Sequence, residues 1–69
     1  MRHEMHLSRA ILTAKNPQDH TEEERGEAWA LLRLKAKRAA KFDTTLAEDR
    51  LEYAQRIIDW ESRQMLWED

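Results

Sequence analysis

His3 and His6 stand three residues apart with Glu4 between them. On a helix this spacing puts both imidazoles on one face, where they can share a divalent transition metal. The string His-Glu-Met-His is not the HExxH arrangement of zinc enzymes, and the third histidine, His20, belongs to another segment. Ordinary surface histidines are therefore expected. Carboxylates cluster at Glu22–Glu24, Glu48–Asp49 and Glu68–Asp69. Acid–base catalysis needs such groups held against a substrate, whereas these fall at expected helix ends, where capping and solubility explain them. The chain has no cysteine, no glycine-rich phosphate loop and no nucleophile elbow, and its single glycine, Gly26, falls inside a helical pattern. No catalytic residue, metal ligand or cofactor is assigned, and an enzyme is not expected.

A basic run, Arg33, Lys35, Lys37, Arg38 and Lys41, offers a different chemistry. Arg33, Lys37 and Lys41 recur every four residues and form one stripe on a helix surface. A dimer of helical hairpins with such a stripe can grip an RNA duplex or loop, as small plasmid copy-control proteins do. Twelve basic residues face fourteen acidic ones, for a formal charge of −2. Three cations in an acidic chain give weak affinity for a polyphosphate at physiological salt. A solvated face is the plainer reading, and a nucleic-acid-binding regulator is the second choice of function.

The elements that position these residues are marked by local signals. Thr21 with Glu24 has the spacing of a capping box, acids fill the following turn, and Lys37, Arg38 and Lys41 close the segment, in keeping with the helix dipole. A first long helix is expected over 22–42. Thr45 with Glu48 repeats the box, with Asp43 or Thr44 as alternative caps, and a second helix is expected over 46–67. The connection is short enough to force an antiparallel hairpin. Residues 1–20 form an N-terminal segment and loop. Leu7, Ile11 and Ala14 have helical spacing, yet Met5, Leu7, Ile11 and Thr13 also share a strand face. A short helix, with Ser8 as its cap and Asn16–Pro17 as its stop, is the preferred form.

Sixty-nine residues make one domain, 1–69. A core this small stabilises by only ~3–5 kcal/mol and needs a staple. With no disulfide available, a second subunit is the expected one. The missing cysteines also suit a reducing cytoplasm, and no run approaches a membrane span.

Two apolar seams run along the second helix. Ala47, Leu51, Ala54, Ile58 and Met65 make one; Leu46, Tyr53, Ile57, Trp60 and Trp67 make the other. The first helix offers one arc, Ala28, Leu31, Leu32, Ala36, Ala39 and Phe42, edged by Trp29 and Ala40. It is rich in alanine and covers one seam only. The first seam is expected to pack within the hairpin. Leu46, Tyr53, Ile57 and Trp60 are expected to meet a second subunit, although the N-terminal segment could instead close over the aromatics. Leu34, Leu66 and Trp67, with Arg33, Lys37 and Lys41, are the candidate partner-binding residues.

The charged, cysteine-free hairpin EEERGEAWALLRLKAKRAAKFDTTLAEDRLEYAQRIIDWESRQMLWED, with its short N-terminal extension, resembles in length and layout the quorum-sensing anti-activators of Pseudomonas phages. Those are dimeric inhibitors of a LuxR-type transcriptional activator and of the type IV pilus assembly ATPase. The resemblance spans the chain and rests on no motif, so it transfers no residue roles. It implies a phage-type accessory protein of the host cytoplasm that binds a host activator and blocks its DNA binding. The expectation is thus an all-α hairpin with a short N-terminal element, dimerising into a helical bundle, that inhibits a host protein.

Overall fold

A computed structural model describes residues 5–66, for Leu66 the backbone alone. The order is α1 (Leu7–Lys15), a 3-10 turn (Pro17–Asp19), α2 (Glu22–Ala39) and α3 (Thr44–Leu66). The fold is all-helical, and α2 and α3 form the expected hairpin.

The N-terminal segment is a helix because burial follows helical spacing: Ala10, Thr13 and Ala14 point inward. Its cap position is His6, not Ser8, and no side chain caps it. The Thr13 hydroxyl donates to the Arg9 carbonyl at 2.9 Å, which satisfies a polar group inside the packed face. Asn16 leaves helical geometry (φ −132°, ψ 60°) and Pro17 opens the 3-10 turn, as the restriction before proline requires.

The capping box at α2 forms as expected. The Glu24 N–H donates to Thr21 Oγ1 at 3.1 Å, and the Thr21 N–H donates to Glu24 Oε1 at 2.9 Å. The helix ends at Ala39, three residues short of the expected Phe42. Ala40–Phe42 form a turn, in which the Phe42 and Asp43 N–H groups both donate to the Ala39 carbonyl. α3 starts at Thr44 because Asp43 is its cap, its Oδ1 accepting from the Leu46 N–H at 3.2 Å. The Thr45–Glu48 box thus yields to the alternative cap two residues earlier. The expected last helical residue, Trp67, lies outside the described residues.

Alanine dominates the interior. Of the eight buried residues that make the hydrophobic core among the described residues, six are Ala10, Ala14, Ala28, Ala36, Ala47 and Ala54, leaving Leu32 and Ile57 as the bulky ones. Small side chains let the helix backbones approach closely, and Leu32 and Ile57 each contribute roughly 1.5–3 kcal/mol by burial. Met5, Leu7, Ile11, Trp29, Leu31 and Tyr53 pack around that centre. The molecule is a slab of 43 × 31 × 14 Å. α1 covers one face of the hairpin.

The two seams of α3 are corrected by this arrangement. The inward line is Ala47, Ala54 and Ile57, with Arg50, Tyr53, Trp60 and Glu61 half-buried beside it. α2 meets α3 between the two expected seams, so Leu51, Ile58 and Met65 of the first remain exposed. Phe42, expected in the arc of the first helix, lies in the turn and is 90% exposed.

Candidate functional site

On the α1 side of the hairpin the surface is closed. Ile57 is fully buried against Ala10, Ala14 and Leu32, and Tyr53 packs on the same cluster. The Lys15 ammonium and the Arg56 guanidinium each lie 6.0 Å from the Tyr53 ring centre, at the outer limit of a cation–π contact. Trp60 is roofed by Arg25, whose guanidinium carbon is 4.5 Å from the ring centre. Ile57 is therefore enclosed within the chain itself, while Tyr53 and Trp60 stay half-buried, Tyr53 on the cluster that includes α1 and Trp60 under Arg25 of α2. Leu46, the fourth residue assigned to the interface with a second subunit, remains exposed at the start of α3.

Arg25 also ties this side together. It donates from Nη1 to the Pro17 carbonyl at 3.2 Å and to the His20 carbonyl, and from Nε to Glu61 Oε2 at 3.4 Å. One planar fork thus links the α1–α2 connection to the C-terminal half of α3. Beside it, Glu24 accepts from Arg9 at 3.2 Å and lies 3.8 Å from His20 Nδ1. The Thr21 backbone N–H, then Arg9, then His20 lower the Glu24 carboxyl from its ordinary 4.5 to about 2. These contacts account for Glu24, Glu61 and His20 structurally. Arg50 differs: its Nε and Nη1 are buried without a hydrogen-bond partner among the described residues. Of the metal-ligand candidates His6 is exposed, while His3 and Glu4 lie outside the described residues.

The opposite face of the hairpin is open. A groove of about 430 Å³ runs between α2 and α3, lined by Arg33, Leu34, Ala36, Lys37, Ala40, Ala47 and Leu51. Alanines form its floor, and the aliphatic side chains of Leu34 (44% exposed) and Leu51 (45% exposed) rise from it. On α2 the rim is cationic: Arg33 and Lys37 are exposed, and Arg33 stacks 5.1 Å over the Trp29 ring, which fixes its guanidinium at the edge. From Leu51 the apolar line continues along α3 through Ile58 to Met65, which is 74% exposed. Outside that line stands an exposed polar row, Glu48, Gln55 and Asp59, in which Gln55 donates to Asp59 at 2.9 Å.

Of the six expected partner-binding residues, Arg33, Leu34 and Lys37 converge on this groove. Lys41 is exposed but sits in the turn after α2, so the basic stripe holds two helical residues instead of three. Leu66 ends α3, its side chain outside the described residues, as is all of Trp67. Sequence reasoning placed Leu51, Ile58 and Met65 in the core and missed their part in the open face. The signal was present in the apolar arc of α3, which is wider than one neighbouring helix can cover. Comparison with protein-family models, curated protein sequences and solved structures finds no match to this chain.

Proposed function

We propose that this chain is a non-enzymatic binding protein that captures an amphipathic helix of a partner protein in the α2–α3 groove. The observation behind the reading is the juxtaposition of an alanine floor, exposed Leu34 and Leu51, and the cationic rim of Arg33 and Lys37. Such a groove accepts the apolar stripe of a helix and favours acidic residues beside that stripe. The resemblance to anti-activators suggests a host LuxR-type activator as the captured protein, with loss of its DNA binding as the outcome, in the host-cell cytoplasm. The pilus assembly ATPase is the other target that resemblance implies. Nucleic acid suits the groove less well, since an apolar floor gives nothing to phosphates and the helical stripe is reduced to Arg33 and Lys37.

The expected homodimer belongs to this reading too, moved from the covered aromatic side to the open one. The test is capture from host lysate with nuclease present, in parallel with a Leu51→Asp variant. A protein retained by the wild type and lost by that variant supports the reading. Addition of the purified protein to a LuxR-type activator bound to its operator should then release the DNA. Retention only when nuclease is omitted would overturn the reading in favour of the nucleic-acid alternative.

A further inference from the structure

We infer that the groove's resting occupant is α3 of a second copy, so that self-association and target capture compete for one surface. This rests on the groove being a docking surface, as proposed above, and adds what fills it when no target is present.

The charge pattern selects a copy of the same chain. A complementary helix must carry an apolar stripe with acids along one flank, and α3 carries Leu51, Ile58 and Met65 flanked by Glu48 and Asp59. The groove's own rim supplies the opposite charge through Arg33 and Lys37. A two-fold axis through the open face therefore sets each acidic row against the other protomer's basic rim, and both halves of the contact are satisfied at once. Closure by a two-fold also leaves no unpaired copy of the face on which a filament could grow.

Size sets the strength. From Ala47 to Met65 the stripe runs about 27 Å at 1.5 Å per residue, across a face roughly two helices, or ~20 Å, wide. That footprint, on the order of 500 Å² before corrugation, lies at the small end of specific interfaces. Its floor is alanine, with few bulky anchors. The dimer should accordingly dissociate in the micromolar range, weak enough for a target helix to displace one copy.

The experiment is sedimentation of the wild type across a concentration series, with two charge-reversed variants. Arg33→Glu with Lys37→Glu reverses the rim; Glu48→Lys with Asp59→Lys reverses the acidic row. All these residues are exposed, so helicity by circular dichroism should match the wild type. Each variant alone should associate at least about tenfold more weakly, because like charges then face each other. Mixing the two should restore a heterodimer close to wild-type strength. A wild type that stays monomeric to several hundred micromolar, reversed variants that dimerise unchanged, or a mixture that fails to recover would each overturn the inference. If the monomeric wild type still captures a protein in a Leu51-dependent way, the binding reading survives and only the second-copy assignment falls.

Discussion

The Arg25 guanidinium lies over the indole of Trp60, its carbon 4.5 Å from the ring centre, while its nitrogens reach Pro17, His20 and Glu61. The side chain is only 12% exposed, so these charge-assisted bonds act where water competes little. Arg25→Ala removes the side-chain donor from the His20 carbonyl and the Glu61 carboxylate, leaves the Pro17 carbonyl only the His20 N–H, and uncovers the indole. The expected loss is about 2–4 kcal/mol, most of what a core this small supplies. Thermal unfolding together with Trp fluorescence reports both effects. Arg25→Lys should recover only part of the loss, since a point charge cannot serve three acceptors in one plane.

Ile57 and Ile58 are chemically identical neighbours on opposite sides of a burial boundary, one fully buried and the other 37% exposed. Ile57→Ala should cost about 2–4 kcal/mol through lost transfer energy and a cavity against Leu32, leaving the chain largely unfolded at 37 °C. Ile58→Ala should lower the unfolding temperature little and instead weaken association through the open face. Equal destabilisation by the two would contradict the orientation of α3.

Asp43 and Thr45 compete for the start of α3, and the bond from the Leu46 N–H to Asp43 decides between them. Asp43→Ala should lose about 1 kcal/mol in chemical denaturation. Thr45→Ala, on the exposed first turn, should lie within about half a kcal/mol of the wild type. The reverse ranking would restore the later cap.

Glu24 gives the fold a defined acid limb. Its folded pKa of about 2 lies below the ordinary 4.5, so the unfolded chain binds the proton more tightly and acid favours unfolding. The contribution is whole above about 4.5 and fades as pH falls towards 2. Unfolding temperatures measured across that interval should drop less steeply for Glu24→Gln than for the wild type. Parallel curves would remove Glu24 from the acid response.

Helix boundaries were legible where the signal was local. Thr21 and Glu24 specify the start of α2 with four residues of sequence, and Asn16–Pro17 specifies the end of α1 just as directly. The direction each helix faces was not local. Adjacent residues on α3 differ by about 100° around the axis, so which of Ile57 and Ile58 is buried depends on where α1 settles, and nothing in the α3 sequence states that. Phe42 was misassigned for a related reason: its spacing continues the α2 arc, but Asp43 claims the turn for the next helix. The basic rim was readable from Arg33 and Lys37 alone. The groove beside it was not, because Leu51 enters only once the hairpin is closed.

Ala36 and Ala47 are at once interior residues of the hairpin, 2% and 5% exposed, and part of the groove lining. A methylene added at either position would pry α2 from α3 and raise the floor in the same stroke. Divergence towards a new target is thus barred from the two central positions and driven to the margins, at Arg33, Lys37, Glu48 and Asp59, where charge can be rewritten without disturbing the scaffold beneath.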